Sequence, residues 1–203
     1  MCAMTTTASI RPGDYVPTAD QRVVLHGFDW AGFQALIKLR GERRWRIAYL
    51  DGAVELMTPS RGHESTKSFL GPLIETYCVD RDIEIVPTGA WLIEDESEEA
   101  GAEPDESYIF GADPDERKQV PDLVVEVAWS RGGIRKLEIY RRLGVAEVWM
   151  WQDEAIAVHV LGADGYERRE RSVCLPNIDL ALLCELCACP TLNEAVRRLR
   201  GAP

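Results

Sequence analysis

Apolar positions recur along this chain with two different periods. "FDWAGFQALIKLR" carries Phe33, Leu36 and Ile37 at helical spacing, and Asp29 stands where it can cap the free amides of a helix. "RWRIAYL" and "AVELM" read as strands, and Asp51–Gly52 between them marks a hairpin. "TPSRG" breaks the second strand. "HESTKSFLGPLIETYCVD" then predicts a helix, with Phe69, Leu70, Leu73, Ile74 and Tyr77 on one stripe and Pro72 as a point of kinking. "IEIVPTGAWLI" reads as a strand or a bent pair of strands, "IEDESEEAGAEPDE" as a solvated acidic loop, and "PDESYIF" as a strand entered through proline. "GADPDERKQ" is a turn. "VPDLVVEVAW" is the most strongly apolar strand, and "SRGG" ends it. "IRKLEIYRRL" predicts a helix with Leu137, Tyr140 and Leu143 inward and Gly144 at its end. "AEVWMW" reads as a buried strand and "AIAVHVLGADGYERRER" as a hairpin turning at "ADG". "LPNIDLALLCELCAC" and "TLNEAVRRLR" are helical.

The order is helix, hairpin, helix, three strands, helix, strand, hairpin, helix. The strand–helix–strand passage from Val120 to Trp151 fits a right-handed crossover. The expectation is an α/β fold with a mixed sheet flanked by helices. The 203 residues suffice for one sizeable core, so residues 21–203 are read as a single domain and residues 1–20 as a flexible arm. No apolar run approaches the ~20 residues that span a bilayer. The start does not read as a secretory signal, and a cytoplasmic protein without membrane partners is expected.

Charge narrows the picture further. The net charge is −11, from 23 basic and 34 acidic groups, which repels nucleic acid at long range. "RRWR" and "RKLEIYRR" nonetheless leave room for a local basic face. Cysteines stand at positions 2, 78, 174, 184, 187 and 189; with no secretion signal, a disulfide scaffold is not expected. "CELCAC" has spacings used by zinc sites, but small thiols in "LALLCELCACPTL" suit a buried helix better.

Chemistry concentrates in the apolar strand. Asp122, Val124 and Glu126 share one face, and Leu123, Val125 and Val127 share the other. A carboxylate such as Glu126 inside a covered strand is costly unless paired or bound to metal. Asp105, after Pro104 on the preceding strand, can reach the same edge of the sheet. Two such acids make an oxygen-rich hole suited to Mg2+ or Mn2+. Lys136, in the first turn of the next helix, can bring an ammonium to orient or deprotonate a water, or to stabilise charge on a phosphate. Such a set suits phosphodiester hydrolysis. The plainer alternative stays open: strand-end carboxylates and a surface lysine.

"AEPDESYIF", "VPDLVVEV" and "GIRKLEIYRRLGVAEVWMW", preceded by "YLDGAVELMTPSRGHE", resemble the large bacterial restriction-endonuclease-like family of the PD-(D/E)XK nuclease superfamily. The resemblance covers roughly Arg46 to Leu180. It implies a restriction endonuclease-like core in the order helix–three strands–helix–strand, here with an N-terminal helix and hairpin. It implies that Asp105 belongs to the first motif and Glu126 to the second, together holding Mg2+ or Mn2+. Two residues after Glu126 stands Ala128, where the superfamily pattern has lysine. The resemblance therefore points to Lys136 as the lysine supplied from the following helix. His63 is similar to the family's histidine and would line the site. Glu64 or Glu75 would add a third acid, although a carboxylate in a first turn suits the helix dipole whatever its role. Glu55, in the hairpin, can approach from the other side.

The leading expectation is a metal-dependent endonuclease that hydrolyses DNA. The alternative is a non-catalytic interaction or assembly module on the same fold, motivated by the acidic total, because nonspecific DNA affinity rests on Lys and Arg. A zinc-stabilised module comes third. A homodimer is expected from the apolar hairpin surface and the strand bearing Trp149 and Trp151, residues otherwise read as core. Phosphate-loop, triad and dinucleotide signatures are lacking.

Overall fold

The computed structural model describes residues 18–41, 45–113, 117–127 and 133–201. Most of the expected arm, the Arg43–Arg44 pair, Cys2, Ala128 and much of "SRGG" lie outside the described residues.

The first structured element is one the sequence pattern did not signal. Gln21–His26 forms β1, which pairs antiparallel with Ala53–Thr58, β3. Its apolar residues, Val23, Val24 and Leu25, are consecutive rather than alternating, so no period-two pattern announces it. Trp30–Arg40 is α1, and the Asp29 carboxylate accepts from the Gly32 amide at 2.8 Å as its N-cap. Arg46–Leu50, β2, pairs with β3 through a two-residue turn. Asp51 and Gly52 both adopt positive φ, 47° and 80°, the conformation that a tight hairpin of native twist requires.

Arg61–Asp80 forms α2, opened by the Ser60 hydroxyl, which accepts from the His63 amide. The helix continues past Pro72, whose ring removes the amide that would have paired with the Ser68 carbonyl. Between this helix and the next, the described residues form five strands rather than three. Ile85–Pro87 is β4, Ile93–Asp95 is β5, Ala100–Ala102 is β6, Glu106–Phe110 is β7 and Leu123–Val127 is β8. The acidic block is thus not a loop. It is the β5–β6 hairpin, and Ala100, Gly101 and Ala102 are buried against β2. The charges of Glu94 through Glu99 stay in water while Ile93 and Ala100–Ala102 are buried, which is why composition alone misleads here.

Lys136–Arg142 is α3, Glu147–Gln152 is β9, and Ala155–Gly162 and Gly165–Arg169 form the hairpin β10–β11. Leu180–Leu186 and Leu192–Gly201 are α4 and α5. The strands make two sheets. One has five strands in the order β1-β3-β2-β6-β5, the other six in the order β11-β10-β9-β8-β7-β4. In the second, β8 and β9 run parallel with α3 as their crossover, while β4, β7 and β8 are antiparallel neighbours. The outcome is a mixed α/β fold with a sheet core flanked by helices.

Strand parity decides the layers. Leu123, Val125 and Val127 of β8, with Trp149 and Trp151 of β9, pack against α2, α4 and α5. Val124 and Val148 face the other way, onto Ile139, Tyr140 and Leu143 of α3 and onto Ala48, Leu50 and Ala102 of the first sheet. Phe33 of α1 closes the outer face of that sheet over Ile47 and Tyr49. The tryptophans are therefore spent on the chain's own core. Cys184 and Cys187 are half-buried and Cys189 is buried, the last two beside α5 residues of the same core.

Candidate active site

Glu126 lies on the Val124 face of β8, where parity turns it toward α3. It is buried, and the first turn of α3 supplies its partners. Lys136 Nζ donates to Glu126 Oε1 at 3.0 Å and to the Glu103 carbonyl at 3.4 Å. The Tyr140 hydroxyl, one helical turn later, donates to the same Oε1. Burial raises the Glu126 carboxyl, the Lys136 charge lowers it, and the nearby Asp105 charge raises it again, leaving it above the ordinary range. Burial and the same carboxylate hold the Tyr140 hydroxyl well above its usual value, so it stays a donor.

Asp105 comes just before β7. The pairing of Glu106 with Val125 puts it across from Glu126. Its Oδ2 accepts from the Val127 amide at 2.7 Å, and its Oδ1 meets His63 Nε2 at 2.9 Å and Arg46 Nη2 at 3.3 Å. Burial alone would raise this carboxyl; the His63 and Arg46 charges and the hydrogen bonds outweigh it and hold it well below the usual range. Arg46 is fixed in turn by the Pro104 carbonyl at 2.6 Å.

His63 is fully buried at the start of α2. Its Nδ1 lies 3.0 Å from Asp20 Oδ2, so the ring bridges two carboxylates. Burial opposes a charged ring, but the two carboxylates prevail and push it up to about 9. Asp20 also accepts from the Ser60 amide at 2.8 Å. Asp20, at the end of the expected arm, is thus buried and anchored.

The structure thus joins Asp105 to His63 and Glu126 to Lys136, and the two clusters, on neighbouring strands, feel each other through the charge of Asp105 on Glu126. Glu64 reaches Asp105 only through Arg46, at 3.8 Å, and stays about half exposed. Glu75 lies three turns further along α2, where its charge acts on Glu106. Glu55 lines the same pocket of about 480 Å³ as Glu126 and Lys136, together with Arg22, Met57 and Met150. Three members were not singled out from sequence as site residues. Tyr140 had a signal, its four-residue spacing from Lys136 on the inward face. Arg46 and Asp20 had none, because their contacts join residues 40 or more positions apart.

Among the described residues, no group of three or more His, Cys, Asp or Glu side chains is arranged to hold a metal ion. Asp105 and Glu126 nevertheless fit a hard cation by their donor count. A carboxylate offers about four lone-pair sites. Three donors meet Asp105 and two meet Glu126, both on Oε1, so each retains capacity. Mg2+ is commonly held by one or two carboxylates, with water and substrate oxygens completing the shell.

Residues 30–187, over three quarters of the chain, match the Uma2 family, described as "Putative restriction endonuclease". The chain belongs to the Uma2 family. Among curated proteins, none matches the sequence. A solved structure of a "putative nuclease belonging to DUF820" from Anabaena variabilis ATCC 29413 is similar at 11% identity and a TM-score of 0.48, covering 82% of this chain and 98% of that one. Uma2 membership makes this a nuclease-like protein of the PD-(D/E)XK-like type. No helix among the described residues is long and apolar enough to cross a membrane.

Proposed function

We propose that this Uma2 protein is a divalent-metal-dependent endonuclease that hydrolyses DNA phosphodiester bonds. One observation carries the reading: two buried acids, Asp105 and Glu126, face each other on neighbouring antiparallel segments, and Glu126 lines a pocket with its partner Lys136 from the crossover helix. Asp105 and Glu126 would hold Mg2+ or Mn2+. When bound, such an ion supplies Lewis-acid polarisation of a phosphate and lowers the pKa of water. Lys136 keeps an ammonium at Glu126, where it can orient an attacking water or stabilise charge on the phosphate. Tyr140 fixes the rotamer of Glu126, and His63 with Arg46 fixes that of Asp105. Placing Lys136 on α3 would supply the ammonium without a lysine at position 128.

The test is cleavage of plasmid and linear DNA with Mg2+ or Mn2+. Asp105→Ala and Glu126→Ala should each abolish metal-dependent cleavage while circular dichroism keeps the fold; retained cleavage in both removes this assignment.

A non-catalytic module on the same fold is the second reading. What favours it is the donor set already on Asp105, three N–H groups that a metal would have to share, together with the net charge of −11. Purified protein that neither binds Mn2+ by calorimetry nor nicks any form of DNA would select it.

A further inference from the structure

Lys136 reaches Glu126 only if the first turn of α3 is held at one height above the strand end. That turn lacks a side-chain cap of its own: Arg135, at the N-cap, makes no capping hydrogen bond. The missing support comes from the other sheet. Glu55 of β3 is 3% exposed, and its Oε2 accepts from the Ile134 amide, two residues before Lys136, at 2.9 Å. The same oxygen is 3.4 Å from Arg22 Nε on β1. Gly133 lies directly against this pair. It adopts φ of 99°, and a Cβ there would fall 2.1 Å from Glu55 Oε2 and 2.8 Å from Arg22 Nη1. The backbone passes so close that only glycine fits, in a conformation that glycine alone adopts without strain.

We propose that Glu55 is a positioning residue. Its carboxylate, neutralised by Arg22, pins the Ile134 amide and so sets the first turn of α3, which delivers Lys136 to Glu126. This rests on the reading of the site given above. Glu55 lines the same pocket as Glu126, but its bonded oxygen is committed to the Ile134 amide and Arg22 rather than aimed at a shared ligand. It therefore acts through the helix and not as a third metal-binding acid. An anchored buried carboxylate also explains why an acid stands in the middle of an otherwise apolar strand.

The test uses the full chain and three variants. Glu55→Leu removes the acceptor, Glu55→Gln keeps an acceptor for the Ile134 amide but loses the charge, and Gly133→Ala pushes against Glu55 while leaving it in place. Amide hydrogen exchange at residues 133–137 and the NMR signal of the Lys136 side chain are read first, then Mn2+ affinity, then cleavage. Glu55→Leu and Gly133→Ala should speed exchange at Ile134 by about 10-fold or more, with α2 unchanged. Both should shift the Lys136 signal toward that of a solvated lysine. Mn2+ affinity should hold, and kcat should fall about 100-fold at constant KM, as expected for a misplaced group. Glu55→Gln should recover most of each effect.

Unchanged exchange and an unchanged Lys136 signal in Glu55→Leu would overturn the proposal, and so would a loss of Mn2+ affinity, which would make Glu55 a ligand. Should Glu55→Leu fail to fold, Gly133→Ala and Glu55→Gln decide by the same readouts. A wild-type protein that cleaves nothing would count against the nuclease reading alone, because exchange and the lysine signal still report whether Glu55 sets Lys136.

Discussion

Lys136 Nζ lies 3.0 Å from Glu126 Oε1, and the two residues come from different elements, the crossover helix and the strand that precedes it. The first residue of α3 thereby sits over the end of β8. Tyr140 joins the same oxygen because residues four apart share a helix face. The acid is therefore held from one side by a charged and a neutral donor.

Removing Lys136 should expose the cost of burying Glu126. In Lys136→Met the acid keeps Tyr140 as its hydrogen-bond donor and faces the Asp105 charge without the ammonium. Breaking one side of a buried pair costs about 3–5 kcal/mol when the remaining group must stay ionised. Here the carboxyl can take up a proton instead. An acid raised in the folded state destabilises as pH climbs from its unfolded value through its folded one. The variant should thus lose little at pH 5 and about 3 kcal/mol at pH 8. Urea denaturation at the two pH values checks this. A Glu126→Gln partner substitution should recover most of the loss; equal losses at both pH values would mean that Lys136 is a surface contact.

His63 gives a pH dependence of the opposite group type but the same direction. Its folded value, about 9, exceeds the ordinary one because Asp105 and Asp20 outweigh burial. Stability from this charge is complete below about 6.5 and is lost as pH rises through 9. The loss should be of order 3 kcal/mol in metal-free protein, since one pKa unit corresponds to about 1.4 kcal/mol. Chemical denaturation from pH 6 to pH 10 reads it directly. In His63→Gln the curve should flatten over that range at a lower overall stability; an unaltered slope would show that another group is responsible.

Much of this was legible from spacing. The two faces of β8 separate as its alternation requires, with Leu123, Val125 and Val127 toward α2 and Val124 and Glu126 toward α3. Lys136 and Tyr140 fall together because their spacing is helical. What escaped the sequence was of two kinds. Strands such as β1 and β6 lack an apolar alternation, and the acids flanking β6 mask three small buried residues. Contacts between distant segments, such as Asp20 with His63 and Glu55 with Ile134, leave no local pattern at all. Ionisable residues that looked idle one at a time prove to be partners.

Glu147 offers a contrast that tests whether burial of an acid signifies a site. It is buried on β9 and accepts from Trp149 Nε1 at 2.5 Å and from the Val173 and Cys174 amides at 2.6 and 3.0 Å. Every donor is a neutral N–H, and two of them pin the segment that follows β11 onto the sheet. Hydrogen bonds to a charged acceptor contribute about 1.5–3 kcal/mol each, and a buried donor left without a partner adds its own desolvation cost. Glu147→Ala should therefore destabilise by about 3 kcal/mol or more, yet leave Mn2+ affinity and the Lys136 NMR signal where they are. Glu126→Ala should instead move both readouts, with a stability loss of its own, because it strips the buried Tyr140 hydroxyl and Lys136 of their shared acceptor. If the two substitutions gave matching profiles, Glu126 would be a structural acid like Glu147, and the cluster around it a means of folding rather than of catalysis.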